Sequence, residues 1–148
     1  MHIEVAVCLP REAETVTLVR TAVTNTLNLF GVAEDCVEDI RLALSEACTN
    51  VIEHAASEDN YEVEVHVDER ECAISVRNVG NGFDATALAG LPPDPHSPRG
   101  RGVAIMRAVM DSVNFSSTPE TGTVVNLVRA LSAKEDGLLR RLHSDSGR

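Results

Sequence analysis

The chain has no Cys-x-x-Cys pair, no apolar run of bilayer-spanning length, and very few basic residues in its middle. Each absence narrows the field. Cys8, Cys36, Cys48 and Cys72 stand singly, and the five histidines do not flank them at ligand spacing, so no zinc site is expected. The four are expected to be small buried apolar residues in a reducing compartment. Without a run approaching the roughly 20 residues that cross a bilayer, no membrane span is expected. The start, MHIEVAVCLPRE, lacks the basic segment followed by an apolar block that marks secretion. A cytoplasmic protein with no membrane partner is the expectation. Between Glu34 and Glu71, thirteen acidic residues stand against two basic ones, Arg41 and Arg70, and the net charge is −10. Such a surface repels a phosphate backbone, so direct DNA or RNA binding is not expected. It keeps the chain soluble, and it suits a partner with a basic face.

What is present fits one domain with a proper core: 148 residues, 43% of them hydrophobic. Ile3, Val5, Val7 and Leu9 alternate, which predicts a strand from His2 to Leu9 stopped by Pro10. Val16, Val19, Val23, Leu27 and Phe30 fall at helical spacing, with Gly31 as terminator. A second helix, about Ala33 to Ala56, carries an apolar stripe of Val37, Ile40, Leu44, Ala47, Val51 and Ala55. Tyr61–Val67 and Cys72–Val76 read as two amphipathic strands joined by a hairpin at Asp68–Glu71. Side by side they give an antiparallel sheet with one wet face, the other covered by the helices. Ala89–Arg101 has four prolines and no periodicity, which marks a lid or a disordered loop. Val103–Asp111 reads as a helix with Val103, Met106 and Met110 on one side. Val113–Ser116 and Gly122–Leu131 read as strands joined by a turn at Thr118–Thr121. Residues 134–148 form a short helical pattern and a fraying tail.

Three stretches carry chemistry. Glu46, Asn50 and His54 are spaced by four, so they share a second face of the second helix, at the edge of its apolar stripe. An amide oxygen there suits a hard cation such as Mg²⁺, and a carboxylate suits the removal of a proton from an attacking hydroxyl. Asn78-Val79-Gly80-Asn81-Gly82 follows a strand, where two glycines allow close approach of backbone to a ligand. Gly100-Arg101-Gly102, entering a helix, combines backbone N–H groups, an arginine and the positive helix end, which suits a polyphosphate. Gly122-Thr123 then opens the last strand.

Taken in order and at this spacing, these segments resemble the N, G1, G2 and G3 boxes of the GHKL ATPase superfamily. LALSEACTNVIEHA and GRGVAIMRAVMDSVNF are most similar to the small bacterial anti-sigma factor serine kinases, and the similarity covers about residues 3 to 131. The resemblance implies an α+β fold, a two-layer α/β sandwich whose mixed, mostly antiparallel sheet is covered on one face by helices. It implies a histidine-kinase-like ATPase domain over residues 1–133. ATP and Mg²⁺ are the implied cofactors, with Asn50 as metal ligand and Glu46 as general base. Gly80 and Gly82 would shape the adenine end, Gly100, Arg101 and Gly102 would hold phosphates, and Thr123 would reach the adenine. The implied partners are a sigma factor, a STAS-type anti-sigma-factor antagonist and a second copy of the chain. One residue departs from the pattern. Asn78 stands where the family has an aspartate that accepts a hydrogen bond from the adenine amino group. Its amide oxygen still accepts, but an NH₂ replaces the second acceptor and the charge is lost. Weaker adenine binding is expected, by about 1–3 kcal/mol. A partner-switching module that does no chemistry is the alternative. A detached histidine-kinase catalytic domain is a more distant one.

Overall fold

The computed structural model describes residues 1–54, 60–78, 98–118 and 122–146, with only the backbone of His54, Pro98, Arg99, Ser117, Thr118, Gly122, Thr123 and Ser146. Five strands, β1 (His2–Leu9), β2 (Tyr61–Asp68), β3 (Glu71–Asn78), β4 (Ser112–Thr118) and β5 (Gly122–Ala130), form one sheet in the order β1-β2-β3-β5-β4. All four pairings are antiparallel, in line with the mostly antiparallel sheet expected. Four helices are described: α1 (Ala13–Phe30), α2 (Glu34–His54), α3 (Pro98–Val109) and α4 (Leu138–Ser146). The fold is the expected two-layer α+β sandwich.

Period-two alternation sets the register. Val63 lies opposite Val76, Val65 opposite Ile74 and Val67 opposite Cys72. Ile74 in turn faces Leu127, and Val76 faces Val125. All of these are buried. A slip of one residue would send the whole set to the wet face. The hairpin between β2 and β3 is tied by Asp68, whose Oδ1 accepts from the N–H groups of Arg70 (2.7 Å) and Glu71 (2.8 Å). Those bonds hold its carboxyl below the usual carboxylate range.

Against the dry face of the sheet lies α2, with Val37, Ile40, Leu44, Ala47 and Val51 buried as the stripe predicts. Cys36, Ala43 and Cys48 widen that stripe, so α2 is buried between α1, α3 and the sheet. Burial pushes the thiols of Cys48 and Cys72 up to about 12. Cys8 departs from expectation. It is exposed, because the even-numbered residues of β1, an edge strand, point away from the helices.

The end of α1 is a Schellman motif. Gly31 adopts φ +76°, its N–H bonds to Asn28 O, and the N–H of Val32 reaches Leu27 O. The chain beyond β5 then returns to this turn. Val32 bridges Ala133, the N–H of Lys134 bonds to Gly31 O at 2.8 Å, and Gly137 stacks on Gly31 backbone to backbone. Leu139 of α4 is fully buried in the common core.

Candidate nucleotide site

Glu46 and Asn50 sit one turn apart on α2 and face α3. The closeness of the two helices is measured at Gly102. A Cβ placed on it would come within 2.8 Å of Glu46 Oε2 and 3.3 Å of Asn50 Oδ1. No side chain fits there without displacing one of them. The carboxylate, the carboxamide and the glycine thus form one constellation, in which the four-residue spacing sets Glu46 beside Asn50 and helix packing brings in Gly102.

Polarity within it is unbalanced. Asn50 is 3% exposed, and its Nδ2 has no hydrogen-bond partner among the described residues. Buried donors left in this state cost about 1–3 kcal/mol, so folded proteins seldom keep them without a use. Glu46 is half-buried. Loss of water lifts its carboxyl above the ordinary range, Glu53 pushes the same way, and Arg101 pulls it back. A carboxylate poised in this manner is a better proton acceptor than a free one.

Asn78 ends β3 opposite Tyr61 and is fully buried. Neither its Oδ1 nor its Nδ2 has a partner among the described residues. The pair Arg77–Val124 joins β3 to β5, and Asn78 and Thr123 each lie one residue beyond it. The two therefore share one end of adjacent strands. Tyr61, beside Asn78, is anchored by a 2.6 Å hydrogen bond between its hydroxyl and Thr15 Oγ1.

The third element differs from expectation in its boundary. Gly100-Arg101-Gly102 lies inside the first turns of α3, which begins at Pro98 and not at Val103. Proline is favoured at a first helical position because its fixed φ is already helical and it has no N–H to satisfy. Gly100 and Gly102 are buried and Arg101 is exposed. Of the remaining candidates, Gly80 and Gly82 lie outside the described residues, as do most of the proposed lid and residues 119–121 of the final turn.

One contact at the end of α2 carries no sequence signal. Arg11, between β1 and α1, donates from Nη2 to the carbonyl of Ile52 at 2.8 Å. That carbonyl lies in the last turn of α2, where a cation is favoured by the helix dipole. Its distance of 41 residues along the chain hides the contact.

The donor set suits a nucleotide and its metal. A buried amide oxygen beside a carboxylate, and a helix N-terminus with a glycine that leaves room, are features such a group requires.

Comparison with known proteins agrees. Residues 9–129 match the family described as histidine kinase-like ATPase domain. The serine-protein kinase RsbW of Bacillus cereus is 31% identical over 117 residues, spanning 72% of this chain and 73% of that protein. Among solved structures, the RsbU and RsbW domains of a Mycobacterium tuberculosis protein superpose with TM-score 0.68 at 19% identity, over 89% of this chain but 34% of that one. A structure of the SiaB–SiaC complex from Pseudomonas aeruginosa gives TM-score 0.59 at 13% identity, over 85% of this chain and 89% of the other. With most of its length matched, this chain belongs to the histidine kinase-like ATPase domain family and is homologous to the RsbW serine-protein kinases.

Proposed function

We propose that the chain is an ATP-dependent protein serine/threonine kinase. It phosphorylates a small STAS-type anti-sigma-factor antagonist and sequesters a sigma factor, acting in the cytoplasm as a homodimer. The observation that carries this reading is the approach of Gly102 to Glu46 Oε2 and Asn50 Oδ1, the amide of Asn50 being buried with its Nδ2 unpartnered among the described residues. Bound ATP with Mg²⁺ would supply the phosphoryl group and the cation that offsets its charge. Asn50 offers the cation its amide oxygen. The first turn of α3 and Arg101 face the phosphates with positive potential. Glu46, its basicity raised by burial, takes the proton of the serine hydroxyl. Asn78, with Thr123 at the same sheet end, receives the adenine. Homology to proteins named as serine-protein kinases supports the reaction class.

Purified protein with ATP, Mg²⁺ and its cognate antagonist should yield a phosphoprotein, and Glu46→Ala should abolish it. No phosphoprotein, with Glu46→Ala indistinguishable from wild type, would reject the kinase reading. A second reading, a partner-switching module without chemistry, is favoured by one observation: both amide atoms of Asn78 are buried and unmatched among the described residues, where the family places a carboxylate. Asn78→Asp decides between the two. If that change creates ATP affinity that the natural chain lacks, the second reading holds. If wild type already binds and the change tightens binding by roughly 5- to 150-fold, the first does.

A further inference from the structure

The wet face of the sheet holds a second constellation, unrelated to the nucleotide site. Glu4 of β1 lies directly across from His66 of β2, and His2 lies across from Asp68. Side chains two apart on a strand share a face, so His2, Glu4, His66 and Glu64 all point the same way. One ligand atom from each of His2, Glu4 and His66 lies within 4.8 Å of the other two. His66 Nε2 is 3.9 Å from Glu4 Oε1 and 3.8 Å from Glu64 Oε2. The imidazole rings of His2 and His66 have centroids 5.5 Å apart, inclined at 34°.

We propose that His2, Glu4 and His66 form a surface site for a divalent transition-metal ion of the zinc class, with Glu64 or water completing the shell. Two imidazoles and a carboxylate select such ions over Mg²⁺ or Ca²⁺, which take oxygen ligands. Zinc–nitrogen and zinc–oxygen bonds of about 2.0–2.2 Å place tetrahedral ligand atoms roughly 3.4 Å apart. The observed spacing of up to 4.8 Å therefore needs a contraction of at most about 1.4 Å, within reach of solvent-facing side chains whose strand backbones are already fixed by the ladder. Carboxylates at Glu64 and Asp68 add a negative field that draws in a cation, while the N-terminal ammonium of Met1 is paired with Glu69. The ion would clamp the start of edge strand β1 to β2. It lies on the face away from the helices, and its rung is five residues, roughly 17 Å, from the Leu9–Tyr61 rung beside Asn78. Sequence spacing conceals the site, because its two histidines are brought together by strand pairing and not by a local motif.

The test uses the untagged full chain carrying Cys8→Ser, which removes the exposed thiol as a competing ligand. Zn²⁺ is titrated calorimetrically without nucleotide. One ion per chain is expected. His66→Ala and, separately, Glu4→Gln should weaken binding on the order of tenfold or more. Zn²⁺ should raise the melting temperature of the parent and not that of His66→Ala. ATP–Mg²⁺ binding should be the same in parent and variant, so failure of the nucleotide reading and failure of this one are read separately. The proposal is overturned by no Zn²⁺ binding, by His66→Ala binding as tightly as its parent, or by half an ion per chain with doubled molecular mass.

Discussion

Glu46 carries a carboxyl that the fold holds at a disadvantage. Burial raises it first, Glu53 adds to the rise, and Arg101 offsets part of it. An acid raised on folding contributes stability while protonated, and that contribution is lost as pH rises through the raised value. At neutral pH the ionised group therefore weakens the fold. Glu46→Gln removes the charge and keeps the shape. It should melt above wild type at pH 7, with the gain vanishing near pH 4, and it should lose phosphotransfer; melts at both values check the first part. Gly102 gives the complementary case. In a helix interior alanine is favoured over glycine by up to about 1 kcal/mol. Here the new Cβ would meet Glu46 Oε2 at 2.8 Å, the end of a flexible side chain that can move. Gly102→Ala should thus fold with stability within about 1 kcal/mol of wild type. On the proposed function, nucleotide affinity should fall at least about tenfold, because the displaced groups are those assigned to the nucleotide and its metal.

At the scale of elements, the turn after α1 holds the C-terminal part of the chain in place. Gly31 combines φ +76° with a Cβ position 2.5 Å from Gly137 Cα. The obstacle is backbone, which cannot swing aside. Gly31→Ala should destabilise by about 2 kcal/mol or more, and amides of α4 should lose protection in hydrogen exchange before those of the sheet. Leu139 is the other fastening. Its truncation to alanine should cost about 2–5 kcal/mol by chemical denaturation, as for other buried leucines. Most elements were legible because their apolar residues repeat at one period over a full strand or helix. Val63, Val65 and Val67 name their own face, as do Val37, Ile40, Leu44, Ala47 and Val51. The start of α3 was not legible, because prolines and glycines break the periodicity before Val103 although Pro98 suits a first helical turn. The environment of Cys8 was misread for a different reason. The alternation of Ile3, Val5, Val7 and Leu9 already puts Cys8 on the opposite, wet face, and a cysteine's usual burial was set above that period.

Across the whole molecule, the site joins parts that are distant in sequence. Glu46 and Asn50 could be read from their four-residue spacing, and Gly102 from its Gly-Arg-Gly setting. That Gly102 stands against both side chains is a product of helix packing, which no local pattern records. The same holds for Arg11 under the end of α2, for Asn78 and Thr123 at one end of neighbouring strands, and for His2 beside His66 on the opposite face. On the proposed function, α2, the end of β3 and the start of α3 enclose one nucleotide with its metal. Calorimetric titration of ATP with Mg²⁺ into wild type and Asn50→Ala tests it most directly. One ATP per chain, dependent on Mg²⁺ and lost in Asn50→Ala, is the predicted result; no binding to wild type, or binding that Asn50→Ala leaves unchanged, would contradict it.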